Sequence, residues 1–378
     1  MAEVFIRKDS AKTVGYTVST MFGHSQVSGD IGIEIECEGN KFPKNGSDLI
    51  PNMWCYHQDH SLRGKDNAEY VLKKPILFAD VPKALDKLWK MFDDYGTVLD
   101  DSNRTSVHIH LNAQKFCSNR LASFAALYFC FEEILTELCG EHRVGNLFCL
   151  RGIDAPGIIT SLRKFIETDG ATELRDNLHY AAFNTNALTK FGSIEIRTMR
   201  GTPDKDLILN WVNILKALYE ASEKYPDPRA ICEDFSGYGP MGFYDKILGE
   251  HKNFINSNIP WDYDRISDSL YNGIRIAQEL CYCRDWSLFE GSSLSADPFG
   301  RNMKKIAKKL STSSFTETYG GHIHQIASEY PSPEPAPANS SSPPLGTTSS
   351  QFVSYALNTL QWHDPESLSL APSTASAW

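Results

Sequence analysis

The sequence predicts an α+β fold: a curved, largely antiparallel sheet with helices packed on its convex face. Three observations carry this. Three short segments, "GDIGIEIECEGN", "TSVHIHLNAQ" and "FGSIEIRTMRG", alternate apolar with polar residues, as strands with one buried face do. Longer segments around them place apolar residues at helical spacing, and one is apolar on nearly every side. The polar faces of the three strands carry Glu, His and Arg where a solvated face would more usually carry Thr, Lys or Ser. If the strands share a sheet, those faces converge on one concave surface.

Taken in order, residues 1–28 are mixed in character and read as a short arm or edge strand. Residues 29–112 read as strands, one helix and a further strand. The helix is "VPKALDKLWKMF", with Val81, Ala84, Leu85, Leu88 and Phe92 on one face and Asp80 in N-cap position. The all-round apolar "NRLASFAALYFCFEEILTELCG" is a buried helix with Gly140 as its stop. "LHYAAFNTNALTKFGSIEIRTMRG" reads as two strands and a connection. It leads into "TPDKDLILNWVNILKALYEASEKY", with Thr202 as cap, Pro203 at the first helical position, and Leu207, Trp211, Ile214, Leu215 and Leu218 as the buried stripe. "GYGPMG" meets a dinucleotide-binding pattern only in letters; a proline inside it and no strand before it make it a loop. Two or more helices are expected between 261 and 311. The domain layout is therefore an arm over 1–28, one catalytic-type domain over 29–330, a flexible Pro/Ser-rich linker over 331–350, and a tail over 351–378. The tail's "QFVSYALNTLQW" is a candidate docking helix for a protein partner.

Composition narrows the function. The net charge of −10 argues against a dedicated nucleic-acid binder, which needs clustered Lys and Arg. No apolar run reaches membrane-spanning length, and "MAEVFIRKDSAKTVGY" lacks the apolar stretch of a secretion signal. The nine cysteines are odd in number and sit mostly in apolar runs, so they read as reduced thiols. A cytoplasmic protein is expected, in a host cytoplasm if the gene is viral.

The chemistry lies in the three polar faces. Glu34, Glu36 and Glu38 share one side of their strand, roughly 6.5–7 Å apart in steps of two residues. Such a row repels itself unless solvated or neutralised, and hard divalent cations take oxygen ligands. His108 and His110 share a face with Ser106 and Asn112. Glu195 and Arg197 share another, either as a surface ion pair worth little or as a metal ligand beside a bidentate phosphate clamp. Glu69 in "NAEYVLKKPI" is a fourth candidate, alternating with apolar neighbours.

In this order and spacing, "GIEIECEG", "WCYHQDHSLRGKDNAEYVLKKPI", "SVHIHLN", "HRVGNLFCL" and "FGSIEIRTMRGTPD" resemble the amidoligase family, a branch of the glutamine synthetase and glutamate–cysteine ligase superfamily. The resemblance spans about residues 30–220. It implies a glutamine-synthetase-like fold and an ATP-dependent ligase joining an amino-acid or peptide carboxylate to an amine through an acyl phosphate. It implies Mg²⁺, with Mn²⁺ as an alternative, held by Glu34, Glu36, Glu69, His108 and Glu195. Asp59 and Asp66 are alternatives to Glu69. Arg197 is expected to face the transferred phosphoryl group and His110 to lie near the nucleotide phosphates, both acting in catalysis. Arg200, Arg63 and Arg104 are further ATP-binding candidates, and Arg143 and Arg151 join them as candidates for phosphate or substrate carboxylate. Crowded like charges predict that neutralising Glu34 or Glu195 raises metal-free stability. Two rivals remain: a zinc hydrolase using His108 and His110, disfavoured by the carboxylate excess, and a non-catalytic virion or assembly protein, favoured by the Pro/Ser-rich tail.

Overall fold

A computed structural model describes residues 17–44, 49–59, 61–62, 66–167 and 180–281. Most of the N-terminal arm, the helices expected beyond 281, the Pro/Ser-rich linker and the tail lie outside these residues, as does Arg63. The strands are β1 (Ile31–Asn40), β2 (Trp54–His57), β3 (Asn67–Leu72), β4 (Val98–Leu99), β5 (Ser106–Asn112), β6 (Phe183–Asn184) and β7 (Ser193–Arg200). The helices are α1 (Val18–Phe22), α2 (Val81–Tyr95), α3 (Ser118–Leu138), α4 (Gly157–Glu167), α5 (Asn186–Phe191), α6 (Lys205–Ser222), α7 (Pro228–Leu248), α8 (His251–Asn258) and α9 (Tyr263–Leu280). The protein is α+β: among the described residues, one open seven-stranded sheet runs in the order β2-β3-β1-β5-β7-β6, with β4 paired to β1 and each of these ladders antiparallel.

Alternation sorts each strand into two faces. Ile31, Ile33, Ile35, Val107, Ile109, Leu111, Ile194 and Ile196 are fully or almost fully buried on the face that packs against the helices. Helix α3 runs through the middle of that layer, touching α6, α7 and α9, which is why it is apolar on all sides. Its contact with α9 is close enough that a Cβ on Gly273 would collide with the Cys130 backbone. Only glycine fits there. The stripes expected on α2 and α6 are buried as the spacing requires.

One irregularity shapes the other face. Val107 pairs with Met199 and Ile109 with Ile196, so Arg197 and Thr198 together oppose His108 alone. This is a β-bulge, which leaves backbone groups unpaired and re-aims the strand. Arg143, buried at 2% exposure, supplies the missing donors: its Nε donates to the Thr198 carbonyl at 2.8 Å and its Nη2 to the Arg197 carbonyl at 2.6 Å. Thr198 Oγ1 meets the Tyr128 hydroxyl of α3 at 2.7 Å. The bulge is thus anchored from both sides.

Three local expectations are corrected. Asp204, not Thr202, caps α6, accepting from the Asp206 and Leu207 amides, while Thr202 accepts from the Asp204 amide one step earlier. "GYGPMG" is not a loop: α7 passes through it with a kink at Gly239, the one non-helical residue. Pro240 has no amide hydrogen to lose at the start of the second helical segment, so glycine and proline break the axis without ending the helix. The described end of the arm, in place of an edge strand, holds the short helix α1, capped by Thr17.

Candidate active site

The polar face of the sheet gathers the candidate residues by register. Glu34 is the direct partner of His108, Glu36 of Glu69, His110 of Glu195, and Glu195 of Asn184. Neighbouring strands lie roughly 4.8 Å apart, so residues distant in sequence become contacts.

His108, 3% exposed, sits between three carboxylates. Its Nδ1 is 3.2 Å from Glu34 Oε2 and 3.5 Å from Glu195 Oε1, and its Nε2 is 3.6 Å from Glu36 Oε1. Nε2 is also 2.7 Å from Ser106 Oγ. His110 places Nε2 at 3.2 Å from Glu34 Oε1 and Nδ1 at 3.1 Å from Ser193 Oγ. Glu36 Oε2 accepts from the Ser106 amide at 2.9 Å and from its hydroxyl at 2.6 Å. Glu195 accepts from Asn184 Nδ2 at 2.6 Å and from Arg197 Nη1 at 2.5 Å. Buried Arg197 Nε has no hydrogen-bond partner among the described residues, so part of this guanidinium's donor set is not engaged by the protein.

Charge is unevenly settled across this face. Burial pushes the Glu34 carboxyl up, but the charges and hydrogen bonds of His110 and His108 outweigh it and hold the group well below the usual carboxylate range. Glu195 is likewise held low against its burial, by His110, Arg197 and His108. Burial opposes charge on the His110 ring, yet Glu34 and Glu195 raise its affinity for a proton. Arg197 is desolvated but more firmly charged, chiefly through Glu195. Glu69 is the exception: burial, then repulsion from Glu34, Glu36 and Asp59, pushes it up to about 8. This arrangement holds more carboxylates than its own cations neutralise.

A metal has donors here. Glu34, His110 and Glu195 each offer one ligand atom, and the three atoms lie within 4.8 Å of one another. His110, expected beside phosphates, therefore stands among the possible ligands, while His108 lies inside the carboxylate ring. Glu36 and Glu69 flank the group on the adjacent strand pair. Of the alternatives to Glu69, Asp59 accepts from Ser61, and Asp66 pairs with Lys44 at 3.7 Å.

The remaining arginines divide. Arg143 serves the bulge, and Arg151 forms a two-pronged pair with Asp154 at 2.6 and 2.9 Å. Arg200, the register partner of Ser106, donates to the Cys139 carbonyl at 3.0 Å. Arg104 is exposed. Sequence reasoning placed Ser106 on the right face without giving it a role, although its alternation with the two histidines was visible. Ser193 alternates with Glu195 and Arg197 in the same way, whereas Asn184 carried no such signal, because its contact depends on pairing between strands.

No helix among the described residues is long and apolar enough to cross a membrane. Residues 9–219 match the family model described as "Putative amidoligase enzyme". No curated protein matches the chain.

Proposed function

The chain belongs to the amidoligase family, and on that premise we propose that it is an ATP-dependent carboxylate–amine ligase working at a site for two or more Mg²⁺ or Mn²⁺ ions. Family membership makes it a ligase-class enzyme; the cofactors and intermediate are our reading. The observation that carries it is the convergence of Glu34, Glu36, Glu69 and Glu195 with two histidines and Arg197 on one sheet face.

The donor set fits the ions. Carboxylate oxygens dominate, as hard divalent cations prefer, and Glu69 is driven towards its neutral form by burial and then by neighbouring charges that a cation would offset. Glu34, Glu195 and His110 would hold one ion, with Glu36, Glu69 and His108 completing the set. Such ions supply charge neutralisation to phosphate oxygens, which phosphoryl transfer needs more than covalent help. The chain's own residues do the rest. Glu195 orients Arg197 through the 2.5 Å contact, and the partly exposed guanidinium would face the transferring group. The carboxylate substrate becomes an acyl phosphate, and an amine displaces the phosphate to form the amide. Positioning of the two substrates on a rigid sheet provides the proximity term.

The Glu34–His110–Glu195 triplet also favours a second reading, a single-metal hydrolase with three protein ligands and an open position. Two measurements separate them. The ligase retains Mg²⁺ or Mn²⁺ and releases ADP only with an acid and an amine both present, which a panel of amino acids and short peptides tests. Zinc in the purified protein with hydrolysis of amides and no ADP overturns the ligase reading.

A further inference from the structure

Cys232 in α7 and Cys281 at the end of α9 are 49 residues apart in sequence, yet their sulfurs lie 3.8 Å from each other. Both side chains are buried, at 5% and 7% exposure. They belong to the helical layer, and the proposed function leaves them without a role.

Two helices hold the sulfurs in place. Cys232 lies about one turn into α7, whose start is fixed by Asp227, which accepts from the Arg229 amide at 2.9 Å. Cys281 caps the end of α9: its amide donates to the Ala277 carbonyl at 3.2 Å, and its thiol reaches the same oxygen at 3.3 Å. The two helices pack against each other and both against α3. The sulfurs need to close by less than about 2 Å to form a disulfide.

We propose that Cys232 and Cys281 form an oxidation site, at which a peroxide closes a disulfide that staples α7 to the end of α9. The Cys281 thiolate attacks one peroxide oxygen and the O–O bond breaks. Cys281 becomes a sulfenic acid, and the leaving hydroxide departs as water with the thiol's proton. Cys232 then attacks the Cys281 sulfur, the S–O bond breaks, and a second water carries away the Cys232 proton. Two thiols are oxidised by two electrons in all, and the peroxide is reduced to two waters. The reaction is slow at rest, because the hydrogen bond with Cys232 and then burial push the Cys281 thiol up and keep its thiolate scarce. Access comes from the place of Cys281 in the last turn of α9, since helix ends fray. The inference rests on neither the metal nor the ligase reading.

The test uses the full chain, reduced, freed of reductant and exposed to hydrogen peroxide while folded. Alkylation under denaturing conditions then marks every remaining thiol, and mass spectrometry of a digest made without reductant finds which cysteines are joined. The expected product is a pair of peptides linked through Cys232 and Cys281, lighter by two hydrogens than its parts and separated by dithiothreitol. The unfolding temperature should rise by roughly 5 °C or more on oxidation, as a closed loop of this length constrains the unfolded chain, and fall back on reduction. In Cys232→Ser and in Cys281→Ser, neither the link nor the shift should appear. Both cysteines alkylated after exposure overturn the proposal. So does sulfinic acid at either position without a link, or a bond from Cys281 to Cys283, which follows it in C-x-C spacing.

Discussion

Glu34 on β1 and Glu195 on β7 approach the same nitrogen, His108 Nδ1, at 3.2 and 3.5 Å from opposite neighbouring strands. Each also faces His110, whose charge is the largest influence holding both carboxyls low against burial. The expectation that neutralising either would stabilise the metal-free protein is therefore reversed. The repulsion falls on Glu69 instead. In the presence of a chelator at neutral pH, Glu34→Gln is expected to lose about 1–3 kcal/mol, because it leaves buried donors without their carboxylate. Glu69→Gln is expected to gain stability. Thermal or urea unfolding of both variants checks the signs, and a gain in Glu34→Gln contradicts the charge assignment.

Glu69 also gives a pH signature. Its folded-state value, about 8, lies above the ordinary 4.5, so the folded protein holds a proton that the unfolded chain has released. Its contribution is fully present below about 4.5 and is lost as pH rises through about 8. The difference in unfolding free energy between wild type and Glu69→Gln should therefore widen across that window, by a few kcal/mol in all. Glu34 and Glu195, held low, act in the opposite sense: their contribution is lost as pH falls below the ordinary carboxylate range. Saturating Mg²⁺ should flatten the Glu69 difference curve. A flat curve without metal would show that Glu69 is ionised in the folded state.

Arg143 tests the bulge. Arg143→Met removes both donors from the Arg197 and Thr198 carbonyls, with about 2–4 kcal/mol of stability expected to go with them. Unchanged stability would mean that those carbonyls find other partners.

These relationships differ in how far the sequence exposes them. Strand alternation shows itself residue by residue, so the shared faces of Glu34 and Glu36, His108 and His110, and Glu195 and Arg197 were legible before any strand order was known. The buried stripes of α2 and α6 were legible for the same reason. Pairing was not. Which carboxylates surround His108, and that His110 rather than His108 completes the compact Glu–His–Glu triplet, follow from register across β1, β5 and β7. Arg143 reads as an anion binder because the bulge at Arg197 and Thr198, more than fifty residues on, leaves no mark in sequence. The kink at Gly239 was misread as a loop because Gly-Pro can both break a helix and restart one.

The most direct measurement is ADP formation by wild type, Glu34→Gln and Glu195→Gln over a panel of carboxylate and amine substrates with Mg²⁺. Both substitutions keep side-chain volume, so a native circular dichroism spectrum can establish that the variants are folded at the assay temperature. Wild type is expected to release ADP only with acid and amine together, and both variants to lose at least about 100-fold of that rate. Full nucleotide turnover in the two variants would contradict it.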